Sequence, residues 1–122
     1  LIHGEYLSYY SDGQLHLKVN YSEGLWHGLY LEYYPSGILW SKRNYKKDLL
    51  DGEYINYHDN GNIEWYAEMK KNEILGLRIR CIKSGQLDYI ERINNDKTVD
   101  KTEIIEEENI DKIKTICKNY KK

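Results

Sequence analysis

The 122-residue sequence contains no phenylalanine, one proline, one methionine and two cysteines. Two cysteines are too few for a disulfide-stapled scaffold or for a zinc site made of cysteines, so we expect a reducing, cytoplasmic location. The sequence also lacks the roughly 18 consecutive apolar residues of a membrane span, and no charged and then apolar export signal stands at its start. These absences predict a single soluble domain.

An excess of charge of one sign is also absent. The 18 basic and 20 acidic side chains leave a formal charge of −2, and no like-charged run is longer than Glu106-Glu107-Glu108. A chain with balanced charge lacks the excess of basic side chains that attracts the phosphates of nucleic acid, which argues against nucleic acid as a partner. The basic residues concentrate only at Lys70, Lys71, Arg78 and Arg80. A solvated sheet edge is the plainer explanation of this group, and a lipid or phosphate site is the alternative.

Glycine, in contrast, recurs with a period of 24 residues. One series is Gly4, Gly28, Gly52 and Gly76, and a second is Gly13, Gly37, Gly61 and Gly85. Glycine adopts the positive φ of hairpin turns, so the spacing predicts four β-hairpin repeats at about 1–24, 25–48, 49–72 and 73–95. The fold class is therefore mainly β, with the hairpins forming a single elongated twisted antiparallel sheet. The chain begins inside a repeat, which leaves an upstream signal or further repeats open.

Alternation along each predicted strand gives the sheet two unlike faces. The first strand places Leu7 and Tyr9 on one side, which we call the apolar face, and Tyr6, Ser8 and Tyr10 on the other, which we call the tyrosine face. Strict alternation along the second strands assigns nine further side chains to the apolar face: Leu15, Leu17, Val19, Tyr21, Leu39, Ile63, Ala67, Met69 and Leu87.

Rings on the tyrosine face are the candidate site for a protein partner. Tyrosine and tryptophan often anchor protein interfaces, because each ring combines a large apolar surface with a polar tip. Cross-strand stacking that only stabilises the sheet is the alternative role. The predicted partner-binding residues are Tyr6, Tyr10, Tyr30, Tyr34, Trp40, Tyr54 and Tyr66.

After Asn95 the glycines stop and Lys, Glu and Ile dominate, which predicts a C-terminal helical cap at 96–122. Asp100 and Glu103 have capping-box spacing, and apolar residues at helical intervals extend one helix over about 100–120. The helix either lies along the apolar face or closes the exposed end of the fourth repeat. The degenerate sequence of that repeat favours the second placement, since terminal repeats adapt to a cap.

The repeat pattern also predicts one contact between the C-terminal cap and the fourth repeat. Cys81 occupies the slot that Tyr9, Tyr33 and Tyr57 hold in the other repeats. A small side chain there leaves room for an incoming helix, and Cys117 lies on the apolar side of that helix. We therefore expect Cys81 and Cys117 to approach each other.

The sequence shows no constellation for catalysis, which requires a nucleophile, an acid–base partner and a pocket that excludes water. His3 and His27 precede the repeat glycines in equivalent positions, where a turn explains them. No two histidines have the i, i+4 spacing of a zinc protease helix. We therefore predict a non-enzymatic protein with no catalytic residues, no cofactor and no metal.

The recurring pattern Gly-x-Tyr-x-x-Tyr-Tyr, then x-Gly-x-Leu and Tyr-x-x-Gly, is seen most clearly from Gly28 to Asp48. It resembles the MORN repeat, and more closely the variant found in bacterial and large-virus proteins, some of them catalogued as putative antitoxins. The resemblance covers residues 1–95. It implies a hairpin-repeat sheet and a role in scaffolding, in binding protein partners, or in membrane and phosphoinositide attachment.

The leading functional hypothesis is a repeat scaffold that binds a protein partner through the rings of the tyrosine face, with an antitoxin-like inhibitor as a special case. The alternative is a peripheral membrane or phosphoinositide-binding module that uses the basic residues of the third and fourth repeats. Pairing of two copies through the open edge of the first strand is a further possibility.

Overall fold

The computed structural model describes residues 1–93, 99–102 and 110–117. Within them nine strands form one sheet in the order β1 to β9, and every neighbouring pair is antiparallel. The strands are β1 Gly4–Tyr9, β2 Leu15–Ser22, β3 Leu25–Tyr33, β4 Leu39–Lys46, β5 Leu49–Tyr57, β6 Ile63–Lys70, β7 Glu73–Cys81, β8 Leu87–Ile93 and β9 Val99–Thr102. A short helix, α1, spans Ile110–Ile116. The predicted fold class is confirmed.

Two kinds of turn alternate along the array. Within each repeat, a glycine such as Gly13 or Gly37 has a φ near 90° and donates its N–H to the carbonyl three residues earlier. Between repeats, both central turn residues have positive φ: 50° and 67° at Lys47 and Asp48, for example. Two residues with positive φ make a type I′ turn, whose twist matches that of the paired strands.

A β-bulge near the tight turn interrupts the alternation in every repeat. In the first, Ser8 pairs with Leu17 and Tyr9 with Leu15, so His16 has no residue opposite it. The same shift in the later repeats leaves Trp40, Glu64 and Asp88 as the extra residues. An extra residue moves all the following side chains of that strand to the opposite face.

The bulge overturns part of the predicted face assignment. Leu17 and Val19 pair with Ser8 and Tyr6, so they lie on the tyrosine face rather than on the apolar face. The strands in later repeats follow the same rule, and Ala67 and Met69 also belong to the tyrosine face. Tyr66 moves the other way, because it pairs with Ile55 and Ile79 on the apolar face.

The hydrophobic core lies between the apolar face of strands β5 to β8 and helix α1. Its buried members are Ile55, Tyr66, Ile79, Cys81, Ile90, Ile113, Ile116 and Cys117. Cys81 and Cys117 form a disulfide with their Cα atoms 6.0 Å apart, which confirms the expected approach. The helix therefore lies along the apolar face, and the placement favoured from the sequence is wrong.

The predicted helix over about 100–120 needs a second correction. Val99–Thr102 is a strand, and Asp100 pairs with Arg92 of β8 instead of capping a helix. This strand completes the backbone pairing that the edge of β8 would otherwise leave open. Helix α1 begins only at Ile110, and residues 103–109 and 118–122 lie outside the described parts of the chain.

Two observations bear on location. Among the described residues, no helix combines the length and the apolarity that crossing a membrane requires. The Cys81–Cys117 disulfide weighs against the predicted reducing compartment, because such bonds persist mainly in oxidising environments. The cytoplasmic location stays a prediction.

Candidate functional site on the tyrosine face

The centre of the tyrosine face is a row of rings with an arginine between them. Tyr6, Tyr30 and Tyr54 hold the same slot in successive repeats, and Arg43 pairs with both Tyr30 and Tyr54. The guanidinium carbon of Arg43 lies 4.7 Å from the ring centroid of Tyr30 and 5.1 Å from that of Tyr54. Both distances are within the range of a cation–π contact, so the cation stabilises the row.

Around Tyr30 the rings form a cluster. The centroids of Trp26 and Tyr45 lie 5.5 Å and 5.8 Å from that of Tyr30, and only 8% of Tyr30 is exposed. Its hydroxyl donates a 2.8 Å hydrogen bond to Glu32. Burial, followed by the hydrogen bond to Glu32, raises the pKa of Tyr30 well above the usual value for tyrosine. A single sheet thus buries a ring here without a second layer.

Near the tight turns, the tyrosine hydroxyls connect one repeat to the next. Tyr10 donates to the carbonyl of Tyr33 at 2.6 Å, and Tyr34 donates to the carbonyl of Tyr57 at 2.7 Å. The ring of Tyr34 stacks on Trp40, with centroids 5.2 Å apart and planes 20° apart. Trp40 remains 41% exposed. The tyrosine hydroxyls therefore stabilise the junctions between neighbouring repeats. The exposed ring of Trp40 is accessible from solvent.

The third and fourth repeats carry a second ring-and-arginine group. The ring centroid of Trp65 lies 4.5 Å from the guanidinium carbon of Arg78 and 4.9 Å from that of Arg80. Arg78 also donates to the buried carboxylate of Glu91. Arg80 lies within 3.6 Å of Asp88. Both predicted lipid-binding arginines are therefore paired and lie on the tyrosine face.

A pocket of about 290 Å³ opens between these two groups. Tyr54, Trp65, Met69 and Arg78 contribute to its lining, together with Asn56. The Oδ1 atom of Asn56 and the Nε atom of Arg78 are buried and have no hydrogen-bond partner in the described structure. The volume is at the small end for a ligand site, and it suits one large side chain of a partner.

The other two predicted basic residues lie apart from the arginines. Lys70 and Lys71 stand at the turn after β6, next to Lys46 and Lys47 at the turn after β4. The four lysines line a shallow depression of about 180 Å³ at one side of the array. Lys70 and Lys71 therefore do not form one basic group with Arg78 and Arg80, as predicted, but lie beside two other lysines. We call Lys46, Lys47, Lys70 and Lys71 the lysine cluster.

Six of the seven predicted ring residues lie on the tyrosine face: Tyr6, Tyr10, Tyr30, Tyr34, Trp40 and Tyr54. The seventh, Tyr66, is wrong as a surface residue, because it is 8% exposed within the core under helix α1. Sequence reasoning missed Arg43, Tyr45 and Trp65, which the bulges of the second strands bring to this face, and it also missed Trp26 on the first strand of the second repeat.

The described residues contain no group of three or more His, Cys, Asp or Glu side chains suited to a metal ion. In comparisons with known proteins, the family model of the MORN repeat variant matches residues 2–23, 26–47 and 50–64. No curated protein matches the chain. No solved structure matches it either. The family model stops before β7 and β8, although these strands form the same bulged hairpin as the matched repeats.

Proposed function

The chain belongs to the MORN repeat variant family, and from this premise we propose that it is a non-enzymatic scaffold that binds a protein partner through the tyrosine face. One observation carries the proposal: Arg43 lies between the rings of Tyr30 and Tyr54. Tyr54 also lines a pocket together with Trp65 and Arg78. Trp, Tyr and Arg are the residues that most often dominate binding energy in protein interfaces.

The contacts within the face favour a protein partner, because they hold the binding groups in place before a partner arrives. Arg43 donates to Ser41 at 3.0 Å and stands between two rings, while Trp40 is stacked on Tyr34. Side chains that are already ordered lose less conformational entropy when a complex forms. The ordered rings would therefore contribute more of their contact energy to affinity.

The test is a double variant with Trp40→Ser and Tyr54→Ser, used as bait in affinity capture from the source organism with identification by mass spectrometry. We expect the wild-type chain to retain a partner and the double variant to lose it, with unchanged circular dichroism. Leu75→Ser is the matched control, because Leu75 is an apolar side chain that is 51% exposed elsewhere. Equal retention by the double variant would reject the tyrosine face as the binding site.

A second candidate function is attachment to an anionic membrane surface or phosphoinositide headgroup. The observation that favours it is the lysine cluster, where turns of neighbouring repeats bring four ammonium groups to one side of the sheet. Basic residues near a charged membrane contribute roughly 1 kcal/mol each. This function would use Lys70 and Lys71 with Lys46 and Lys47, rather than with the paired arginines Arg78 and Arg80.

A further inference from the structure

The apolar face of the first two repeats is a second copy of the surface that holds helix α1. Two repeat periods before Ile55 and Ile79, the equivalent slots contain Leu7 and Leu31. Two periods before Ile63 and Leu87 they contain Leu15 and Leu39. Because the strand pairing repeats as well, these leucines stand in the same geometric relation to one another as the residues under the helix.

The two copies differ in what covers them. Under helix α1, Ile55 is 7% exposed and Ile79 is fully buried. In the first repeat Leu7 is 40% exposed, and Tyr9 is 57% exposed. Strand β1 is an edge strand, which accounts for part of this exposure, but Leu29 on the interior strand β3 is also 36% exposed. The structure therefore contains one helix-docking surface that is occupied and a continuation of it that is open.

Two slots of the open copy hold lysines where the occupied copy has uncharged side chains. Lys18 and Lys42 stand in the slots that Tyr66 and Ile90 fill under the helix. Their ammonium groups lie 3.3 Å from Glu5 and 4.0 Å from Glu53, and more than a third of each lysine side chain is exposed. A lysine stem packs along an apolar neighbour while its charged end stays accessible. Each ammonium group already contacts one carboxylate, and its exposed side can meet a carboxylate that flanks the apolar stripe of an occupant.

We propose that the apolar face of the first two repeats docks an amphipathic helix of a partner protein, with Leu or Ile at i, i+3, i+4 and i+7 and with Glu or Asp flanking that stripe. The three spacings of about 4.8 Å between strands β1 and β4 add up to about 14 Å, which about 10 residues of helix span at about 1.5 Å per residue. This surface is on the opposite side of the sheet from the tyrosine face, so the two proposals stand independently.

The test uses the full chain with its disulfide intact and a synthetic probe. The probe is a fluorescein-labelled peptide of about 16 residues with leucines at the stated positions and glutamates beside them, long enough for four helical turns. A second peptide carries lysine in place of every glutamate. Binding is measured by fluorescence anisotropy at low and at physiological salt. We expect the acidic peptide to bind and the basic peptide to bind at least tenfold more weakly.

Variants locate the site on the sheet. We expect Leu31→Asp and Tyr9→Asp to weaken binding of the acidic peptide at least tenfold, because each places a carboxylate within the leucine stripe. Tyr9 is exposed on an edge strand, so its variant keeps the proposal testable if the Leu31 variant fails to fold. Leu75→Ser, at an exposed position of the fourth repeat, should leave peptide binding unchanged.

Three results would overturn the proposal: no binding of the acidic peptide to the wild-type chain, equal binding of the two peptides, or binding that survives both aspartate substitutions. Sedimentation of the chain without peptide provides the remaining check. If the wild-type chain sediments as a dimer and the Tyr9→Asp variant as a monomer, the occupant of this face is a second copy of the chain. That result would also overturn the proposal of a partner helix. The peptide assay addresses the opposite face of the sheet, so a negative result leaves the capture experiment on the tyrosine face unaffected.

Discussion

At the scale of single residues, Arg43 organises the tyrosine face. Its guanidinium donates to Ser41, approaches the hydroxyl of Tyr45 at 3.4 Å and contacts the rings of Tyr30 and Tyr54. Arginine fits this position because its planar fork can stack on rings and donate hydrogen bonds at its edge at the same time. A lysine could not replace it in both roles.

Tyr30 gives a prediction about pH. Burial raises the pKa of Tyr30, so its hydroxyl keeps its proton in the folded state at a pH where the unfolded chain, with a tyrosine pKa of about 10, has lost it. Stability is therefore present below pH 10 and falls as the pH rises further, by up to about 1.4 kcal/mol per pH unit from this group.

We expect Tyr30→Phe to show a shallower loss of melting temperature between pH 9 and pH 11 than the wild-type chain, measured by circular dichroism. The phenylalanine has no proton to lose, although its melting temperature at neutral pH should be lower because Glu32 loses a donor. A variant that follows the wild-type curve above pH 10 would contradict the assignment.

The sequence predicted the faces of residues on the first strand of each repeat, and on each second strand it did so only as far as the bulge. Gly13 and its equivalents set the turns, and Leu7 and Tyr6 lie on the predicted faces. Tyr66 and Trp65 are exchanged relative to the prediction, because Glu64 is an extra residue that strict alternation does not count. A bulge changes no composition and no period, so the pattern alone does not reveal it.

At the scale of elements, helix α1 depends on the sheet. It has seven residues, and isolated helices shorter than about 12 residues are marginal in water. Ile113 and Ile116 bury their side chains in the core, and the Cys81–Cys117 bond anchors the helix to β7. The apolar face of the last two repeats and the helix therefore stabilise each other.

The disulfide should contribute measurably to this stability. It closes a separation of 36 residues, for which the chain-entropy model gives about 4 kcal/mol as an upper value. We expect urea denaturation of the wild-type chain to shift to lower urea when a reductant is added. Cys117→Ser should unfold at that lower concentration with or without reductant. Identical unfolding of the oxidised and reduced wild-type chains would contradict a stabilising bond.

Eight of the nine strands were predictable from the glycine period, and β9 was not. Strand β9 has no glycine turn near it, and its Lys- and Asp-containing sequence resembles the helical segment that follows. Its conformation is set by its neighbour, because β8 offers an unpaired backbone edge that β9 completes through four residue pairs. Such a tertiary cause has no local signature in the sequence.

At the scale of the whole molecule, the protein is a ladder in which each repeat contacts mainly the next one. Equivalent hydrogen bonds recur with the array: Tyr10 to Tyr33, Tyr34 to Tyr57, and His58 to Cys81 at 2.8 Å. Stability of such arrays is a sum over repeats and their junctions. The two edge strands of the described sheet are β1, with six residues, and β9, with four.

The same regular stacking concentrates charge at one side of the ladder, where the lysine cluster supplies the last prediction. If the chain attaches to anionic membranes, it should float with vesicles containing phosphatidylserine in a sucrose gradient at low salt. Flotation should decline as salt rises towards 1 M, where screening acts within about 3 Å. Lys46→Glu with Lys70→Glu should abolish it, because the change reverses half of the cluster.

A charge-matched control separates this surface from a general effect of net charge. Lys83→Glu with Lys114→Glu changes the formal charge by the same amount, and Lys83 lies away from the cluster in an ion pair with Asp59. We expect this control to float like the wild-type chain. Equal loss in both double variants would show that overall charge, rather than the cluster, drives attachment. Failure of the wild-type chain to float at low salt would remove the membrane candidate and leave the protein-binding scaffold.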